Sequence, residues 1–212
     1  MARRLVQDGW AVSLGMRQPV RPDWATDAVQ VHDHDAADPA SDAAWVKAAA
    51  DRFGRIDAVV ANAGVMIPKT VIEASDDDIR AMMDLHVMSP RRLAQTAWPM
   101  LKASGRGRVV ILASLSGKRV KSARAGSYSL SKYAAVALAH GLRHEGFADG
   151  IRATAICPGF VATDMARAVS DFPAERMTDP ADLARIIALI LDLPNEASVA
   201  EFTVNCQLEE SF

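Results

Sequence analysis

A tyrosine and a lysine one helical turn apart, with a serine upstream, are the residues in this chain best suited to moving a proton. The segment Tyr128-Ser-Leu-Ser-Lys132 sets a phenol and an amine at i and i+4, positions that share one face of a helix. A free phenol titrates near 10, and an adjacent positive charge favours the phenolate. The pair can therefore serve as acid and base toward a substrate oxygen. Ser114 closes an apolar run, and a hydroxyl there can hold that oxygen while Tyr128 exchanges its proton. The competing reading is a solvated i, i+4 pair, a contact of about a few tenths of a kcal/mol.

Whether these groups meet depends on the elements that carry them. Short runs that are apolar nearly throughout occupy 10–16, 28–33, 56–63, 108–114, 151–157 and 201–205, the pattern of strands covered on both faces. Helical stretches at 1–8, 41–53, 76–103, 127–148 and 180–192 fall between most of them, with Gly9 suited to end the first. Alternating strands and helices imply parallel strands joined by right-handed crossovers, hence a doubly wound α/β sheet. Segments 17–27 and 115–126 are polar loops. No repeat or linker divides the chain, so residues 1–212 are expected to form one domain. Ligands of such sheets bind beyond the carboxyl ends of the strands. Five local signals sit at such places: Asp35 to Asp38, Asn62-Ala63-Gly64, Ser114, Tyr128 with Lys132, and Pro158-Gly159-Phe160-Val161-Ala162-Thr163.

Composition narrows the classes. The 212 residues hold 24 basic and 26 acidic side chains, a formal charge of −2. That balance gives no reason to expect a nucleic-acid or membrane-docking surface. No apolar run approaches the roughly 18–20 residues of a membrane span, and the first residues lack a signal-peptide core. Two cysteines, Cys157 and Cys206, suit a reducing cytoplasm better than a disulfide scaffold. His140 and His144 form an i, i+4 pair without partners in a zinc spacing; a solvated helix face is expected, and no metal.

On ANAG (61–64), Ser114 with YSLSK (128–132) and ICPGFVATDM (156–165), the chain resembles the short-chain dehydrogenase/reductase family from residue 1 to about 205. The resemblance implies a Rossmann-type, three-layer α/β/α fold, an NADP or NAD cofactor, and hydride transfer between nicotinamide and a carbonyl or alcohol. It makes Tyr128 the acid–base group. Lys132 becomes the residue that binds the ribose and lowers the tyrosine pKa, and Ser114 the holder of the substrate oxygen. It puts Asp35 and Ala36 at the adenine, and Asn62, Ala63 and Gly64 beside the adenosine ribose. Pro158, Gly159 and Val161 are placed at the nicotinamide, and Thr163 at the carboxamide or pyrophosphate. Asn62 as a turn residue and Thr163 as a helix cap remain open readings.

Three departures from the family pattern stand out. His86 occupies the position of a fourth catalytic residue, usually asparagine; it is either a pH-sensitive relay group or a polar filler in a helix kink. Met16 stands where an acid would select NAD, and Arg17 follows it, which leans toward NADP because arginine pairs with a 2′-phosphate. The first strand and its glycine-rich TGxxxGxG turn are absent. The resemblance places that strand between those at 10–16 and 56–63, so its loss would leave two edges unpaired. The expectation is that about 20 upstream residues are missing, or that cofactor affinity and the fold suffer.

Residues 160–179 correspond to a substrate lid, with Phe160, Met165, Phe172 and Met177 either facing substrate or packing on the body. The basic loop 118–126 borders the site. Helices 87–103 and 127–148 resemble those that pair copies into a homo-dimer or homo-tetramer, although Ala134, Ala135, Ala137 and Ala139 would equally suit burial against the sheet. The expected partner is a small carbonyl or alcohol substrate. The alternatives are a non-catalytic relative that binds or regulates, and a truncated product with impaired cofactor binding.

Overall fold

A computed structural model describes residues 1–208. The elements follow in the order α1 (Ala2–Gln7), β1 (Val12–Met16), β2 (Val29–Asp33), α2 (Pro39–Phe53), β3 (Ala58–Ala61), α3 (Asp76–Met83), α4 (Ser89–Ala103), β4 (Arg108–Leu112), α5 (Gly126–Gly146), β5 (Arg152–Pro158), α6 (Asp164–Val169), α7 (Pro180–Asp192) and β6 (Glu201–Val204). All strand pairs are parallel. This is the Rossmann-like α/β fold with a parallel sheet that the alternation of strands and helices leads one to expect.

The strands form two hydrogen-bonded groups, β1-β2 and β3-β4-β5-β6. No ladder joins β1 to β3 among the described residues. A cavity of about 1010 Å³ separates them, bordered by Val12 to Met16 on one side and Ala58 to Val60 on the other.

Burial explains why the strands read as apolar throughout. Val109, Ile111, Ala153, Ala155 and Cys157 pack on one face against Leu93, Ala97 and Leu101 of α4 and Ala135 and Ala139 of α5. Val110 and Ile156 point to the other face, against Leu5 of α1 and Leu183, Ile187 and Leu191 of α7. Successive side chains thus meet helices on opposite sides, and neither face tolerates a polar alternation. Ala135 and Ala139 are spent on this packing, the second of the two readings of the alanine stripe.

The stretch 76–103, which reads as one helix, is divided. Ser75 opens α3 with a capping box: its hydroxyl accepts from Asp78 N at 3.2 Å and Asp78 accepts from Ser75 N at 2.8 Å. Lys69 pairs with the same carboxylate at 2.6 Å, and together these hold Asp78 down to about 2. A π-helical turn, Asp84–Met88, then interrupts the α-helical ladder before α4. Such single-turn insertions are rare and cluster at functional positions. This one carries His86. No helix among the described residues is long and apolar enough to cross a membrane.

Candidate active site

Ser114 lies two residues beyond β4, where its hydroxyl caps a 3₁₀ turn, Leu115–Gly117, by accepting from Ser116 N at 3.1 Å. It also reaches Pro158 O at 3.4 Å. The turn is pressed onto α5. A Cβ at Gly117 would sit 2.5 Å from Lys132 O, so only glycine allows this approach, and the approach brings Ser114 alongside the first turns of α5. Tyr128 and Lys132 both lie there, buried. The Tyr128 hydroxyl is close enough to Ser114 for the serine to favour its phenolate, and Lys132 Nζ stands 5.6 Å from the Tyr128 ring centre. The three groups named from spacing alone are one cluster.

Burial, more than charge, sets their acidity. The phenol of Tyr128 is pushed up to about 12, chiefly because water is excluded, with the Ser114 hydroxyl pulling the other way. Lys132 is brought down to about 8 by the same exclusion. Desolvation is the larger of the two influences on the tyrosine, and the Ser114 hydroxyl is the one that lowers it. Lys132 donates to Leu112 O at 2.8 Å, which leaves two of its three N–H groups to give.

His86 is 2 % exposed, and its nitrogens are both engaged. Val65 N–H donates to Nε2 at 3.1 Å, so the proton must sit on Nδ1, which donates to Ser131 Oγ at 2.9 Å. Ser131 in turn donates to Tyr128 O at 2.8 Å. The ring meets Tyr128 edge-on at 5.6 Å. Desolvation, then the Lys132 charge, lowers the imidazole to about 3. The pH-sensitive relay is therefore corrected: His86 is neutral at physiological pH and has no nitrogen free for a water. It is also more than a filler, because it ties the segment after Gly64 to α5. A Cβ on Gly64 would lie 3.1 Å from His86 Nε2 and 3.8 Å from Lys132 Nζ, so this backbone runs directly past the site.

The remaining positions fall where strand ends predicted. Asn62 and Ala63 are exposed just beyond β3. Asp35 is exposed beyond β2 and accepts from Ala37 N at 3.0 Å, while Ala36 is buried. Arg17 is exposed directly after β1. Pro158 ends β5, and Gly159 N donates to Val204 O at 2.7 Å. Val161 bridges to Thr178. Thr163 does serve as a cap, accepting from Ala166 N at 3.4 Å at the start of α6. In the segment 160–179, Phe160 stacks on Phe172 with centres 5.9 Å apart and Met177 is buried, whereas Met165 is exposed.

Several positioning residues escaped the sequence reading. Asp42, fully buried on α2, accepts from Ser89 Oγ at 2.7 Å and contacts His34 Nε2 at 2.9 Å and Arg92. Arg92 also donates to Ala36 O at 3.3 Å, locking the loop after β2. A carboxylate inside the first turn of an otherwise apolar-facing helix was the available signal. His140 Nε2 donates to the Glu201 carboxylate at 2.6 Å, and Lys118 holds the same carboxylate at 2.6 Å. The solvated face expected for His140 is thus corrected, because β6 brings an acid to it; His144 is exposed.

The profile of short chain dehydrogenases matches residues 1–174, and the chain belongs to that family. It is 33 % identical over 214 residues to an agropine synthesis reductase of Rhizobium rhizogenes, covering 99 % of this chain and 50 % of that one; the chain spans about half the length of that relative. It is 32 % identical over 173 residues to the oxidoreductase UcpA of Escherichia coli, covering 74 % of this chain and 66 % of the relative. Among solved structures, an alcohol dehydrogenase of Thermococcus sibiricus complexed with 5-hydroxy-NADP superimposes with TM-score 0.84 at 26 % identity, over 99 % of this chain and 92 % of the other. A 3-ketoacyl-(acyl-carrier-protein) reductase of Brucella melitensis complexed with NADH superimposes with TM-score 0.88 at 22 % identity, over 97 % and 90 %.

Proposed function

We propose that this protein is an oxidoreductase that moves a hydride between NAD(P)(H) and a small carbonyl or alcohol, with Tyr128 as the acid–base group. The observation that carries this reading is the Ser114–Tyr128–Lys132 cluster at the carboxyl ends of β4 and β5, with Tyr128 and Lys132 buried and Ser114 half-buried. The residues present suit a dinucleotide at both of its ends. Lys132 retains donors for ribose hydroxyls beside the backbone at Gly64, and the exposed turn Asn62-Ala63-Gly64 offers a surface for the adenosine half, with Asp35 and Ala36 next to it. Pro158, Gly159 and Val161 shape the nicotinamide side. Arg17, exposed at the tip of β1, favours the 2′-phosphate of NADP.

The nicotinamide, when bound, supplies or accepts the hydride at the substrate carbon. In reduction, Ser114 Oγ and Tyr128 Oη donate to the carbonyl oxygen, and the phenol proton passes to that oxygen as it gains charge. Lys132, as ammonium, steadies the phenolate left behind. A phenol held near 12 is fully protonated at neutral pH and thus ready to donate. Residues 160–179 serve as the lid, with Met165 its exposed apolar contact. The outward face of α5, where Leu130 and Tyr133 are exposed, supports pairing of two copies.

Tyr128→Phe is expected to lower carbonyl reduction by about 10²–10⁴-fold while NADPH binding, followed by its fluorescence, changes little. Unchanged turnover defeats the assignment. For the unmodified protein, reductive kcat/KM should be level below pH ~8 and fall above it as the Lys132 ammonium is lost.

A further inference from the structure

Asp42 is fully buried on α2, and the groups that meet its carboxylate come from two other places, the end of β2 and the start of α4. Oδ1 accepts from Ser89 Oγ at 2.7 Å and from His34 Nε2 at 2.9 Å, and Oδ2 accepts from Arg92 Nε at 2.5 Å. A carboxylate this deep persists only where it is paired and hydrogen-bonded, and three donors meet that need. Each donor is itself tied elsewhere. Ser89 opens α4 directly after the π turn that carries His86. His34 N donates to Met16 O at 3.1 Å, next to Arg17, and its ring lies 4.6 Å from that of Trp45. Arg92 gives a second N–H to Ala36 O at 3.3 Å.

These bonds cross between the two strand groups. No ladder joins β1 to β3 among the described residues, so main-chain pairing does not fix the loop after β2 relative to α4 and the π turn. Packing of α2 on α4 brings them together, but apolar contact is non-directional. A planar guanidinium that holds a carboxylate with one N–H and a carbonyl with another admits a single geometry. The loop is braced from within as well: Asp35 N donates to Ser41 Oγ at 2.9 Å, and Asp35 accepts from Ala37 N at 3.0 Å. Arg92 thus draws Ala36 inward, where it is buried, while Asp35 beside it stays exposed at the carboxyl end of β2.

We propose that Arg92, oriented by Asp42, is a positioning residue for the adenosine end of the cofactor: it holds the loop His34–Asp38 in the shape that receives the adenine. The inference rests on the dinucleotide reading above and adds to it a residue that acts through the loop. Its signature is selective. Loss of the Arg92 fork weakens the grip on the adenosine half and leaves the nicotinamide half, served by Lys132, Ser114 and Tyr128, as it was.

The test titrates two fluorescent probes into the protein, NADPH and reduced nicotinamide mononucleotide, the second lacking the adenosine half. Arg92→Lys keeps a positive charge for Asp42 but loses the rigid second arm on Ala36 O. It is expected to raise the Kd for NADPH about tenfold, with the Kd for the mononucleotide changed by less than about twofold. In turnover, KM for NADPH should rise with Kd, while kcat at saturating cofactor falls much less. Ser89→Ala takes one donor from Asp42 and leaves both arms of Arg92; it should weaken NADPH about threefold, and it decides alone if Arg92→Lys does not fold. An NADPH Kd equal to that of the unmodified protein in both variants overturns the proposal. So does an equal loss of both probes, which would mark general loosening of the domain. If the unmodified protein binds neither NADPH nor NADH, the dinucleotide reading falls and this inference with it, a result distinct from the other two.

Discussion

The two strand groups of this molecule are built from similar residues and held very differently. In β3-β4-β5-β6 the inner strands are paired on both edges and buried on both faces, with Val109, Val110, Ile111, Ala153, Ala155 and Ile156 at 1 % exposure or less. In β1-β2 every residue of β1 is only half-buried, and one of its edges looks into a cavity. The Ser114–Tyr128–Lys132 cluster, proposed to be catalytic, lies wholly against the first group. The contacts expected for the adenosine half, Arg17 and Asp35, belong to the second. On the proposed function, proton chemistry would rest on the better-packed group, whereas the far end of the cofactor would depend on the looser pair.

Core truncation should separate the groups most clearly. Ile156→Ala, fully buried between α1 and α7, is expected to cost about 2–5 kcal/mol by denaturant titration. Leu14→Ala, on the cavity side of β1, should cost about 1 kcal/mol, since its surroundings are already incompletely packed. Equal costs would erase the contrast.

A second test uses pH within the better-packed group. His86 is lowered from 6.5 to about 3, so between those values the unfolded chain binds the proton that the folded chain refuses. Stability from this group is complete above pH ~6.5 and is lost as pH falls toward 3, by several times the ~1.4 kcal/mol that one pKa unit represents. His86→Asn should flatten this acid limb while leaving the neutral unfolding midpoint within about 2 kcal/mol. An unchanged limb would show that the imidazole is not the group responsible.

The smallest effect is expected in the looser pair. Arg17→Asp, an exposed change, should shift cofactor preference toward NADH by about tenfold, read as the ratio of kcat/KM with the two cofactors, with no change in stability. Identical ratios before and after would detach β1 from cofactor selection.

The legibility of the sequence follows the same division. Tyr128, Lys132 and Ser114 could be named because helical periodicity and strand ends are local properties, set within a few residues. The engagement of His86 could not, because it lies on a π turn and depends on Val65 and Ser131, which are distant in sequence. Asp42, Ser89 and Arg92 meet only through packing of α2 on α4. His140 was misread for the same reason, since Glu201 arrives from the last strand.

By itself, the sequence determined the order of strands and helices, the parallel sheet and the three residues suited to proton transfer, because hydrophobic period and side-chain chemistry are written along the chain. Tertiary structure alone decided that Tyr128 is made a weaker acid and Lys132 a weaker base, that His86 is locked neutral, and that β1 and β3 stand apart. Exclusion of water and the pairing of main-chain edges depend on which segments lie side by side, and distances along a chain do not record that.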